Sequence, residues 1–175
     1  MASTPTPFST VEVAALLAAF PLTLRTEVGS LPERLARWHP APGEWCANEV
    51  VGHLIETERW GFTGRIGTLL TEHEPRLVAW DQATVARERA DCGRQTAALL
   101  AELASLREAS VALVRGLRDE DLGRGGLHPK VGHVTVADLL HEWVHHDRNH
   151  LRQIQANVQA FAWPGMGNTQ KFSAP

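Results

Sequence analysis

The chain has 175 residues, with 17 basic and 20 acidic side chains and a formal net charge of −3. That length suits one domain with a real core and leaves little room for two. A near-neutral balance with only two lysines, Lys130 and Lys171, and no basic run argues against a nucleic-acid partner, which needs a cationic face to meet phosphates. No apolar run approaches the length of about 18 residues that would cross a membrane, so no membrane span is expected. The N-terminus lacks the basic and apolar segments of a signal peptide, which leaves the cytoplasm as the expected compartment.

Alanine and leucine dominate and tyrosine is absent, a balance that favours helix over sheet. Residues 1–8 are Thr/Pro-rich and are expected to form a flexible N-terminus. Ser9 or Thr10 could cap a first helix to about Val28, whose stripe is Val13, Leu16, Leu17, Phe20, Leu24 and Val28. Pro21 lies inside it and is expected to kink or divide it. A short helical turn, Pro32 to Arg37, precedes the break His39-Pro40-Ala41-Pro42-Gly43.

A second helix is predicted from Cys46 to Leu70, with Val50, Val51, Leu54, Ile55, Phe62, Ile66 and Leu69 inward. Residues 71–90, with Pro75, read as an irregular crossover. The third helix, between Cys92 and Leu117, has the cleanest period: Leu99, Leu103, Leu106, Leu113 and Leu117 are among its apolar positions. Residues 119–134, with four glycines and Pro129, read as an ordered loop. Thr135, followed by Asp138 in the first turn, starts a fourth helix to about Phe161, and Trp163-Pro164-Gly165 stops it. The domain is expected to span 9–161, with 162–175 as a flexible tail. Four long helices and few strand signals predict an all-α four-helix bundle with a long crossover between helices 2 and 3. Cys46 and Cys92 show no CxxC spacing and read as free thiols, small buried hydrophobes rather than a redox centre.

Five of the nine histidines lie between His133 and His150. Two i,i+4 pairs on the fourth helix, His141/His145 and His146/His150, each place both rings on one side. With His141 at the origin and about 100° per residue, the apolar positions Val136, Leu139, Trp143, Ile154 and Val158 fall at about 160–260°. His146 and His150 fall at about 140° and about 180°, at the edge of that stripe. His141, at the origin, and His145, at about 40°, lie on the polar side. The inward pair is therefore His146/His150. Two histidines make half a metal site; three with an open position make a catalytic one. His53, amid Val50, Val51, Leu54 and Ile55, is the best third candidate, although it sits at the edge of its helix's apolar arc. Packed core histidines remain the alternative. Glu56, Thr57 and Glu142 lie within about a turn of these positions and could support a ligand ring. Asp147, on the apolar side at about 240°, could cap or pair with an arginine. His128 and His133 could line a pocket mouth or simply form a turn.

The segment Trp45-Cys46-Ala47-Asn48-Glu49-Val50-Val51-Gly52-His53-Leu54-Ile55-Glu56-Thr57-Glu58 resembles the second-helix signature of the DinB/YfiT-like superfamily. Gly132 to Ile154, with His146 and His150, resembles its fourth-helix signature. Pro42-Gly43-Glu44-Trp45 and Trp80-Asp81 resemble the DinB-like, type 2 subgroup. The resemblance implies the same bundle and a divalent metal (zinc, nickel, iron or manganese) on three histidines, which fall here on His53, His146 and His150. It implies a homodimer acting on a small molecule. Relatives transfer a low-molecular-weight thiol, bacillithiol or mycothiol, to an electrophile, and YfiT-like ones are described as metal-dependent hydrolases. Transfer of such a thiol, made nucleophilic as its thiolate, is the first expectation. Hydrolysis by a metal-activated water is the alternative, and a dimeric stress-response binding protein with a structural or vestigial metal is the third. In either enzyme Glu56 is the expected proton acceptor, given a reach of about 3 Å.

Overall fold

The computed structural model describes residues 6–173. Helix α1, Thr10–Gly29, opens on a capping box in which Ser9 and Glu12 satisfy each other's backbone N–H groups, and buries Val13, Leu17, Phe20, Leu24 and Val28. It runs unbroken through Pro21. Proline has no N–H to give the carbonyl four residues back, and that carbonyl, Leu17 O, accepts instead from Arg107 Nη1 at 3.3 Å. The expected division of the helix is avoided because a buried side chain takes the orphaned acceptor.

After the short turn α2, Glu33–Ala36, the second long helix begins as α3, Ala47–Glu56. It widens into a π-helical stretch, Thr57–Gly64, and returns to α geometry in α4, Arg65–Thr71. Leu54, Glu58, Phe62 and Ile66 are all buried at four-residue spacing. In a regular α-helix that spacing drifts off the face; the wider turn holds it on. Thr57 Oγ1 donates to the carbonyls of His53 and Leu54, and Thr63 Oγ1 to those of Glu58 and Arg59, so two threonine hydroxyls bond the backbone along the looser turn.

The crossover carries α5, Gln82–Arg89, capped by the Asp81 carboxylate, and a 3-10 turn, Asp91–Gly93. It docks on α3 at Gly52, where the Asp91 carboxylate occupies the space a Cβ would fill. Helix α6, Thr96–Arg115, and the short α7, Asp119–Leu122, lead to a feature the composition concealed. The predicted loop 119–134 contains an antiparallel hairpin, β1 Gly125–His128 paired with β2 Gly132–Thr135. Gly132, at φ 84°, supplies the left-handed residue that closes its turn. Leu127 also exchanges hydrogen bonds with the crossover, accepting from Leu77 N and donating to Pro75 O. Short glycine-rich strands carry no alternating pattern to announce them.

Helix α8, Val136–Ala162, starts on the Thr135/Asp138 capping box. Beyond it Trp163–Phe172, within the segment expected to be a flexible tail, forms 3-10 turns interrupted at Gly167. Proline suits a first helical turn, so Pro164 ends the α-helix and begins the tighter one. At the other end Phe8 stacks on His141 and donates its N–H to His141 Nε2 at 3.0 Å. Residues 1–5 and 174–175, the ends of the two segments expected to be flexible, lie outside the described residues.

The long helices form a ring in which α1 packs on α6 and α8, and α3 packs on the same two. The chain therefore crosses the ring between its first and second long helices, and the crossover brings α6 beside α1. The core has two apolar halves. One is built around Leu17, Phe62, Ile66, Val114 and Trp143, the other around Leu24, Val51, Leu54, Leu99 and Ile154.

Between the halves lies a buried charged layer. Arg107 Nε meets Glu58 Oε1 at 2.8 Å, and its two terminal nitrogens take both oxygens of Asp147 at 2.6 and 3.1 Å. The guanidinium also lies over the rings of Phe20 and Trp143. Trp143 Nε1 donates to the other Glu58 oxygen at 3.2 Å. Removing one partner strands the others in low dielectric. Arg107→Met is expected to lower unfolding free energy by about 3–5 kcal/mol in urea denaturation. A loss below about 1 kcal/mol would mean that the layer does not fasten the bundle.

Candidate metal centre

His53 projects from α3, and His146 and His150 from adjacent turns of α8. One ring nitrogen from each lies within 4.8 Å of the other two. His53 Nε2 and His146 Nε2 stand 3.1 Å apart. The ring centroids are separated by 5.1, 4.6 and 4.4 Å, so three imidazoles converge without stacking. His53 and His150 are buried and His146 is half-buried. Trp45 covers His53 at a centroid distance of 4.9 Å, and Phe62 sits edge-on to His146. Asn157 holds Trp45 in place by donating to its carbonyl at 2.9 Å.

Burial first, and neighbouring His150 second, lowers His53 to a pKa of about 3. The same two causes, with further contributions from His53, Arg107 and His145, lower His146 to about 2. His150 is also lowered by burial, against the opposing influence of Gln153 and Asp147. All three rings are neutral at physiological pH, the state in which imidazole offers a lone pair to a metal. His150 Nδ1 lies 2.8 Å from Gln153 Oε1, a bond in which the ring nitrogen must donate, so His150 Nε2 is the atom with a free lone pair.

The arrangement is incomplete as a purely organic cluster. His146 Nδ1 is buried with no hydrogen-bond partner, and the two facing Nε2 atoms can share at most one proton. Three neutral nitrogens converging on one point fit a divalent first-row metal, with coordination positions left for solvent or substrate.

The other sequence candidates sit elsewhere. His141 accepts from Phe8 N and places Nδ1 2.8 Å from Ala137 O, and His145 is exposed, in keeping with their place on the polar side of the wheel. His133 is paired at the surface with Glu74 at 3.3 Å. Glu56 Oε1 accepts from Arg89 at 2.6 Å and Arg59 at 3.2 Å, which ties α5 and the π-helical segment to α3. It lines a narrow recess beside His53, but no oxygen of it belongs to the converging set.

His146 opens onto a cleft of about 490 Å³ whose walls include Phe62, Trp80, His128, Lys130 and Glu142. The hairpin supplies His128 and Lys130, so the unforeseen element is a wall of the site. Arg65 also lines the cleft. Burial, then Arg65 and Lys130, lower the pKa of His128, which locates both cations on its side. Among the described residues neither Arg65 nor Lys130 has a carboxylate partner. Sequence reasoning missed Arg65 and Lys130; the only available signal was that Lys130 is one of two lysines and stands at a turn.

Three histidines converging between two helices of a bundle could hold a metal ion, and the sequence assigns the chain to a family. The chain belongs to the DinB superfamily, whose sequence profile matches residues 17–154. Among curated proteins it is 26% identical over 122 residues to the Bacillus subtilis (strain 168) protein named "Putative metal-dependent hydrolase YfiT", covering 69% of this chain and 68% of that one. The solved structure of YfiT from Bacillus subtilis, described as "a probable metal-dependent hydrolase with an unusual four-helix bundle topology", superposes with a TM-score of 0.82. That match covers 93% of this chain and 94% of the other at 22% identity, and it establishes the shared fold. Among the described residues no helix is long and apolar enough to cross a membrane.

The buried rings also set a pH dependence. Their folded pKa values lie below the ordinary value of 6.5, so below that pH the unfolded chain takes up protons that the folded one refuses. Stability from this source is full above pH 6.5 and falls between 6.5 and about 3. In urea unfolding of metal-free protein, His53→Gln is expected to flatten the loss of stability across that window. An unchanged slope would contradict neutral burial of His53.

Proposed function

We propose that the protein is a metal-dependent hydrolase of small anionic molecules, with His53, His146 and His150 holding a divalent ion. The observation that carries this reading is the convergence of three neutral imidazole nitrogens beside a cleft that is lined by Arg65 and Lys130, neither of them in an ion pair among the described residues, and by the carboxylates of Asp138 and Glu142. The chemistry supplied by a divalent ion bound there is activation of water near neutral pH. The named relative, a metal-dependent hydrolase by its description, supports the same class.

The chain's own residues divide the remaining work. Arg65 and Lys130 bind and orient a carboxylate or phosphate group of the substrate, since cations paired with no carboxylate among the described residues attract an anion into the cleft. Phe62 and Trp80 provide an apolar wall that limits the water reaching the inner end. Glu142, one turn before His146, accepts the proton at its carboxylate. It is preferred to Asp138, whose carboxylate is occupied in the helix cap, and to Glu56, which is held by two arginines. Gln153 keeps His150 in the tautomer whose Nε2 is free.

Thiol transfer uses the same histidines and the same cationic wall, so the co-substrate decides between the two. Metal-loaded protein is expected to turn over small anionic esters or amides with no thiol present. Glu142→Gln should lower kcat about 100-fold or more with metal content unchanged. Turnover that requires an added low-molecular-weight thiol would replace hydrolysis with transfer. Full activity in Glu142→Gln would remove Glu142 from its proposed role.

A further inference from the structure

The two cysteines are not scattered thiols. Cys46 and Cys92 meet His39 and Glu49, and one donor atom from each of the four lies within 4.8 Å of the other three. The geometry points to a second metal site in this chain, separate from the three-histidine centre, that binds a soft divalent cation such as zinc through Cys46, Cys92, His39 and Glu49. Two sulfurs, an imidazole nitrogen and a carboxylate oxygen make a four-donor set of the kind that zinc takes in tetrahedral sites, and the sulfurs disfavour magnesium and calcium.

The surroundings hold these residues in place from both sides. Cys46 immediately precedes α3, and Glu49 lies in its first turn. Glu49 Oε2 accepts the Cys46 N–H at 2.9 Å and meets His39 Nε2 at 2.8 Å, so carboxylate and imidazole are already fixed beside the sulfur. Cys92 arrives on the 3-10 turn that ends the crossover, with its thiol 3.5 Å from Arg37 O. That turn is held by the close approach of Asp91 to Gly52 and by Asn48, which donates to Arg94 O at 3.1 Å and accepts from Thr96 Oγ1 at 2.9 Å. Cys46 is wholly buried while His39 is exposed, so the cluster has an inner end shielded from solvent and an outer end through which an ion can enter.

Burial pushes the Cys46 thiol well above its ordinary value, with a hydrogen bond at Glu49 opposing the rise and Cys92 adding to it. Without a cation that sulfur therefore stays protonated and chemically quiet. Binding replaces the thiol protons with the metal and releases them to solvent, with no change of oxidation state. The occupied site clasps the end of the crossover to the first turn of α3. Trp45, which covers His53, is the residue next to Cys46, so the clasp borders the other centre without sharing a ligand with it.

Cobalt(II) titration of the reduced full-length protein tests this, because only a site with sulfur ligands gives a near-ultraviolet sulfur-to-cobalt charge-transfer band. The band is expected in the wild type, unchanged in His146→Ala, reduced to about half in Cys92→Ser that is folded by circular dichroism, and lost when Cys46→Ser is added to it. His39→Ala, at an exposed position, should weaken the cobalt titration about tenfold or more even if Cys92→Ser fails to fold. Absence of the band from wild-type protein with both thiols free would overturn the site. So would a band of undiminished intensity in folded Cys92→Ser, or cobalt affinity unchanged in His39→Ala. A failure of the three-histidine reading would leave these outcomes untouched, since His146→Ala reports on it alone.

Discussion

The buried Arg107 layer is the constraint on which the arrangement of this bundle depends. One guanidinium from α6 engages Asp147 of α8, Glu58 of the π-helical segment and the Leu17 carbonyl of α1, so a single side chain touches all four long helical elements. Each contact answers a local irregularity. Pro21 frees the Leu17 carbonyl, the π-helical turn brings Glu58 inward, and Asp147 lies beside His146. Burial raises the pKa of both Glu58 and Asp147 while Arg107 opposes that rise, so the layer holds together only as a unit. Because Asp147 fixes the rotation of α8 about its axis, the layer also decides which way His146 and His150 point.

Much of this was legible in the sequence, in proportion to how local the cause was. The extents of α1, α6 and α8 follow from apolar spacing and caps; Thr135 with Asp138 in the first turn is read directly from residue types, whereas Ser9 and Thr10 are both open as the first cap and the structure puts Ser9 there with Glu12. Helical phase separated His146 and His150 from His141 and His145, and it placed Asp147 inward, where it pairs with an arginine. His53 was harder to place by phase because the helix that carries it does not keep one pitch. Past Glu56 the turn widens, and a wheel drawn at constant pitch cannot follow it. The repeat Leu54, Glu58, Phe62, Ile66 held the clue, with a glutamate at a core position as its oddest member.

Residues joined by long-range contact were not legible. The hairpin of Gly125–His128 and Gly132–Thr135 is held partly by the crossover at Pro75 and Leu77, some 50 positions earlier in the chain. It has too few side chains for a period of two to show. Its consequence is functional, because it carries Lys130 and His128 to the cleft beside His146. Glu56 shows the reverse case. Sequence proximity to His53 suggested proton transfer, and spacing gave no sign of the ion pairs that one of its oxygens makes with Arg59 and Arg89. The cysteines are a third case, since nothing in the spacing of Cys46 and Cys92 predicts that His39 and Glu49 lie between them in space.

The central claim is that His53, His146 and His150 form one metal centre at the inner end of the cleft. Anomalous diffraction at the absorption edge of the bound metal, recorded from crystals of metal-loaded protein, tests it most directly. The account predicts an anomalous peak bounded by one nitrogen of each of the three rings, which disappears in His146→Ala. Fully loaded crystals with no peak among those nitrogens would contradict it.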